Sequence, residues 1–157
     1  MNQKIKMFIG IGITFAVFAI LITLLFSPHA KCFRNQRSFI SNISELERGS
    51  VIELGESLDF EWDHLYSFLP YTSKEVIYGS IGYRDTRIQE TVSEGAIQII
   101  LVKDGKTVCN INGYPDDLGL DFDFGIIDNY VKLDTKSKFI VQKDKKVVTL
   151  KLLEVKI

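Results

Sequence analysis

The chain has 157 residues, with 19 Lys and Arg against 20 Asp and Glu, giving a net charge of −1 at pH 7. That length is enough for one domain with a small appendage, and the near-neutral balance excludes a general affinity for nucleic acid. Apolar residues make up an ordinary 46% of the whole, but they are unevenly spread.

Met7 to Phe26 reads MFIGIGITFAVFAILITLLF, with no charge and only Thr14 and Thr23 as polar members. A helix of that length spans about 30 Å, the hydrocarbon thickness of a bilayer, and it is apolar on every side. The pattern predicts a cytoplasmic tail over 1–6 and a transmembrane helix over 7–26, with the lipid bilayer as its partner. A secretory signal has a shorter apolar core, about 7–15 residues, followed by a small-x-small site. Here Pro28 stands at −3 of a cut after Ala30, and Cys32 lacks the residues of a lipoprotein cleavage box. A retained signal anchor is therefore favoured over a cleaved leader. Lys4 and Lys6 on one side nearly balance Lys31, Arg34 and Arg37 on the other. The very short tail ahead of a long domain places that domain outside the cytoplasm, at the cell membrane.

Cys32 and Cys109 are the only cysteines. In an oxidising compartment they form a natural disulfide, closing a loop of about 76 residues, for which chain-entropy models give about 4 kcal/mol. The alternative is two unrelated thiols, with Cys109 a small core residue.

Residues 27–50 read as a linker. Within it Phe39 to Glu47 suits a short amphipathic helix, capped by Ser41 or Asn42 and ended by Gly49. From 51 to 157 the pattern is that of an α+β domain. Val51–Leu54 is a short strand, and Leu58 to Phe68 alternates loosely until Pro70 stops it. Thr72 or Ser73 then caps a helix running from Lys74 through Tyr78 and ending near Gly79 or Gly82.

Ala96–Val102 and Thr107–Ile111, joined through Lys103-Asp104-Gly105-Lys106, form the clearest hairpin, because Asp-Gly supplies the positive φ that a type I′ turn needs. A two-residue loop pairs Lys103 with Lys106, Leu101 with Val108 and Ile100 with Cys109. Cys109 then shares a face with Ile100 and Val102, opposite Ile97, Ile99 and Leu101. Apolar residues on both faces predict a central place in the sheet. A second hairpin joins Lys138–Gln142 to Val147–Val155 through Lys143 to Lys146. The phase break at Leu152-Leu153 suggests a bulge, and the many Lys suggest an edge strand. The expected whole is a small, mostly antiparallel sheet of five or six strands with one or two short helices.

Residues 53–128 hold fifteen acids against five bases, and 132–157 hold eight Lys against three acids. The acids from Asp116 to Asp128 invite a calcium reading, but they lack the D-x-[DN]-x-[DN]-G spacing and a Glu at the twelfth position. Leu120, Phe122 and Phe124 alternate with Asp121 and Asp123, as in a strand with its acids outward, and no metal site is expected. His64, beside Asp63 and near Glu61, has the chemistry of a general base. No nucleophile elbow, P-loop or dinucleotide motif accompanies it, so neither a cofactor nor catalysis is expected. Strand alternation also sends Asp63 and His64 to opposite faces.

Trp62, Asp63, Tyr66, Phe68, Pro70, Tyr71 and Thr72 make a W-D-x-x-Y-x-F-x-P-Y-T pattern, followed by a short helix and a KDGK hairpin. This resembles an uncharacterised group of small bacterial membrane-anchored or lipoprotein-like domains over residues 55–155. The resemblance implies class and compartment only. Two readings of the segment stand side by side: Trp62 and Phe68 in the core with Tyr66 and Tyr71 at its margin, or a recognition surface formed by Asp63, Tyr66 and Tyr71. The functional expectation is a non-enzymatic module binding an envelope or secreted protein, in the manner of an immunity or inhibitor protein. An envelope hydrolase using His64 and nearby acids, or a purely structural component, are the alternatives.

Overall fold

The structure is a computed structural model that describes residues 13–23 and 27–153. The expected tail (1–6), both ends of the expected span (7–12 and 24–26) and the last residues of the closing strand (154–157) lie outside the described residues. Ile13–Thr23 is helical (α1), and among the described residues no single helix is long and apolar enough to cross a membrane. The chain divides into two compact units, Met1–Lys31 and Cys32–Ile157.

Residues 27–50 are largely helix rather than linker. Helix α2 runs over Pro28–Glu45, with Cys32, Asn35, Phe39 and Ile43 buried along one stripe. It begins well before the expected start because Ser27 and Pro28 form its entry. The Ser27 hydroxyl accepts the Ala30 N–H at 3.2 Å, and Pro at the first helical position loses no hydrogen bond.

The domain is α+β and mostly antiparallel, but the eight strands among the described residues form two sheets instead of one. The first sheet has the order β1 (Val51–Glu53), β7 (Lys138–Asp144), β8 (Val147–Leu152), β5 (Leu120–Asp123), with β5 parallel to β8. The second has the order β4 (Lys106–Gly113), β3 (Ile97–Lys103), β2 (His64–Phe68), β6 (Tyr130–Asp134), and is wholly antiparallel. β8 is thus an interior strand, not the expected edge. Its Lys151 is exposed while Val148 and Leu150 are buried, so the Lys marks a solvated face. The closing turn centres on Lys145 and Lys146, with Asp144 opposite Val147.

The main core lies where Leu65, Ile99, Leu101 and Ile111 of the second sheet meet Leu120, Phe139, Val141 and Leu150 of the first, with Phe39 and Ile43 of α2 among them. A smaller core covers the other face of the second sheet. There Tyr66, Phe68, Ile100 and Val102 pack with Ile77 and Ile81 of α3 (Lys74–Ile81) and with Ile88. β3 is buried on both faces for this reason and sits inside its sheet. α3 matches its expected bounds: the Ser73 hydroxyl caps it, and Gly82, at φ +88°, donates its N–H to the Tyr78 carbonyl. A one-turn helix, α4 (Pro115–Leu118), leads into β5.

The Asp104-Gly105 turn has positive φ at both residues, and Lys103 pairs with Lys106 as expected. Beyond it the register differs. Val102 pairs with Thr107 but Leu101 pairs with Cys109, leaving Val108 as the extra residue of a β-bulge. The bulge turns both Val108 and Cys109 into the main core with Leu101, and so moves Cys109 off the Ile100–Val102 face. The expected strand over Leu58–Phe68 shortens to β2, and Leu54–Asp63 is an irregular loop. Leu54 and Gly55 donate their N–H groups to the carbonyls of Ser137 and Thr135.

Candidate functional site

The Glu61–Thr72 segment is spread over both cores and both ends of β2. Trp62 is buried in the main core and Phe68 in the smaller one, so the two aromatic anchors stand on opposite faces of one sheet. Asp63, just before β2, is committed to the hairpin tip. Its Oδ1 accepts from Lys103 Nζ at 2.9 Å and its Oδ2 from the Asp104 N–H at 2.8 Å. The hydrogen bond from Lys103, aided by that from Asp104, holds its carboxyl below the usual carboxylate range.

Tyr66 is 4% exposed, stacked on Phe68 and tilted against Tyr130, with Lys132 Nζ 5.5 Å from its ring centroid. His64 lies edge-on to Tyr66, with ring centroids 6.3 Å apart. It therefore projects on the face away from Leu65, toward the smaller core. Asp63 is held by the hairpin, and exposed Glu61 lies in the irregular loop, beside Asp59, Phe60 and Lys103. The three groups of the hydrolase reading do not form a hydrogen-bonded set.

Tyr71 is the most exposed of the three expected binding residues, at 61%, while the Asp63 side chain is 37% exposed beside Lys103 and Tyr66 is buried. Tyr71 occupies the left-handed region at φ +66°, which is costly for a residue with a β-carbon. Two backbone bonds around it fix the loop: Tyr71 donates its N–H to the Thr91 carbonyl at 2.6 Å, and Thr72 donates to the Leu69 carbonyl. A third tie joins the Lys74 N–H to Glu90 Oε1 at 2.8 Å. The two loops so joined carry exposed Leu69 and Val92, the latter 67% exposed, and the first turn of α3 carries exposed Val76. Exposed Glu75 and Glu94 lie in the same two stretches. Sequence reading missed Leu69 and Val92, because an isolated apolar residue in a polar loop is ordinary until its neighbours in space are known.

A second polar cluster was also unforeseen. The Arg87 guanidinium forms a two-bond fork with Asp85, through Nε to Oδ1 at 2.8 Å and Nη2 to Oδ2 at 2.5 Å, and also reaches the Thr107 carbonyl. Tyr83 shares a hydrogen bond of 2.7 Å with the Thr107 hydroxyl. Burial pushes the Asp85 carboxyl up, but the Arg87 bonds outweigh it and bring its pKa down to about 2. Next to this cluster stands Cys32, whose thiol is pushed up by burial and lowered in part by the Arg87 charge. Cys32 and Cys109 are both buried and unbonded to each other in the structure.

Two acids of the calcium reading, Asp121 and Asp123, serve local structure. Asp121 and Asp123 project from β5 between buried Leu120 and Phe122, as alternation requires. Asp123 accepts the Gly125 N–H and pairs with Lys151 at 3.1 Å. Among the described residues no group of three or more His, Cys, Asp or Glu converges as a metal site.

Compared with known protein families, curated proteins and solved structures, the chain has no significant match.

Proposed function

We propose that this chain is a membrane-anchored protein of the cell envelope whose extracytoplasmic domain binds another envelope or secreted protein, in the manner of an immunity or inhibitor protein. The apolar run over residues 7–26 supports the anchor. The observation that carries the binding reading is Tyr71. A tyrosine held at positive φ and braced by the loop bearing Thr91, with exposed Leu69 and Val92 in the two joined loops and exposed Val76 on the helix that follows, has the composition of a rigid interface anchor. Strain at an exposed aromatic residue is kept where presentation of the side chain matters. The acids nearby match a partner that is basic around an apolar centre.

This reading narrows the expected Asp63–Tyr66–Tyr71 surface to its last member. Tyr66 is buried in the smaller core, and Asp63 is paired with Lys103 at the hairpin tip. The hydrolase alternative finds no support in the placement of His64, Asp63 and Glu61.

Cross-linking of intact cells, followed by detergent extraction and pull-down of the full chain, tests the proposal. The expected result is a discrete complex that is lost in Tyr71→Ala. A chain recovered alone across growth conditions contradicts it.

A further inference from the structure

The structure brings the amino-terminal turns of α2 against β4, an edge strand of the second sheet. An edge strand leaves every other backbone N–H and carbonyl without a ladder partner. Two residues one turn apart on α2 meet those groups. Asn35 Nδ2 donates to the Val108 carbonyl at 2.8 Å, and the Cys32 thiol lies close enough to the Asn110 N–H for that group to favour its thiolate. Val108 and Asn110 flank Cys109. Helix and strand are thus pinned at the residue before Cys109, one helical turn from Cys32.

The bulge completes the arrangement. In a regular ladder Cys109 would face the smaller core with Ile100 and Val102, away from α2. The extra residue at Val108 turns Cys109 toward the main core, the side on which Phe39 and Ile43 of α2 pack. Each cysteine is buried, and an ionised Cys32 would raise the Cys109 thiol further above its usual range. No other cysteine competes for either.

We infer that Cys32 and Cys109 join as a disulfide that staples the first turns of α2 to the bulged edge strand β4. The bond forms by exchange with a disulfide donor such as oxidised glutathione. A Cys32 or Cys109 thiolate attacks the donor, a mixed disulfide results, and the second thiolate displaces the reduced donor. One S–S bond forms in the protein, one is lost from the donor, and the two protons end on the donor thiols. Burial keeps both thiols weakly ionised in the folded chain, so the exchange belongs to folding, while the helix is still undocked. The bond's presence in cells rests on the exported-domain reading, whereas the capacity to form it does not.

The full chain in detergent, unfolded in urea and refolded in a glutathione redox buffer, decides the matter when acid-quenched and measured by intact mass. The expected product is a monomer lighter by two hydrogens, with a Cys32–Cys109 linked peptide after digestion. Cys32→Ser and Cys109→Ala should each leave a single thiol or a glutathione adduct. Two free thiols, glutathione adducts on the parent chain, or cross-linked dimers as the main product would overturn the staple. Alkylation of thiols in intact cells separates the two readings: a bond that forms on refolding yet is absent in cells leaves the staple standing and removes the exported domain.

Discussion

Asn35 donates its side-chain N–H to the backbone carbonyl of Val108 at 2.8 Å, across 73 residues of sequence. That bond makes α2 a part of the domain. Without it the outward carbonyl of a bulged edge strand would be buried with no partner, and the helix would have no polar reason to lie along β4. Asn35→Ala removes the donor and leaves the carbonyl. The expected loss is about 1–3 kcal/mol, read from urea unfolding followed by Trp62 fluorescence. A loss near zero would show that water replaces the amide freely.

The apolar side of the same helix gives a larger effect. Phe39 is fully buried, between Phe122 and the rest of the main core. Phe39→Ala should cost about 3–5 kcal/mol, since the lost transfer energy is joined by a cavity that the two sheets cannot close. If residues 27–50 were a linker, the substitution would leave the unfolding midpoint unchanged.

Gly55 is required by space rather than by φ. A β-carbon there would lie 2.7 Å from the Thr135 carbonyl oxygen and 2.8 Å from the Thr135 Cβ. Gly55→Ala must part the loop after β1 from the turn between β6 and β7, where Gly55 donates to that carbonyl at 2.8 Å. The expected destabilisation is about 1–3 kcal/mol. Gly79→Ala, with open space around its β-carbon, is the matched control and should be tolerated.

Acid sensitivity follows from Asp85. Its folded pKa of about 2 lies below the unfolded value of about 3.9. A depressed carboxyl contributes stability that is fully present above the unfolded pKa and is lost as pH falls toward the folded one. Urea midpoints should therefore decline between about pH 4 and pH 2. Asp85→Asn should flatten that decline while lowering stability at neutral pH, because Arg87 loses its charged partner.

Several elements were readable from local chemistry alone. Ser73 and Gly82 bound α3, Asp104-Gly105 makes the turn, and Leu120 to Asp123 alternates. In each case the residues that set the geometry are neighbours in sequence. The start of α2 is also written locally, in Ser27-Pro28, though Pro28 fits a disfavoured cleavage site as readily as a helix entry. The bulge at Val108 carries no Gly or other marker, so the face of Cys109 depended on packing with α2. Tyr66 was misplaced for a related reason: nothing in β2 announces that α3, Tyr130 and Lys132 will cover it. Division into two sheets is likewise a tertiary outcome, decided by which hairpin pairs with β2 and which with β1. For the candidate site, the sequence offered Tyr71 as one aromatic among several. Only the hydrogen bond to Thr91 shows that Val92 belongs beside it.

The central claim is that the face around Tyr71 meets a protein partner. Its most direct measurement is a photo-reactive amino acid placed at Tyr71 in the full chain, irradiated in intact cells. A second probe at Ile126, fully exposed on a different loop, serves as the comparison. A discrete cross-linked species at position 71, absent at 126 and abolished by Val92→Asp, is the predicted result. Equal labelling at both positions, or none at 71 in a chain shown to be folded, would contradict it.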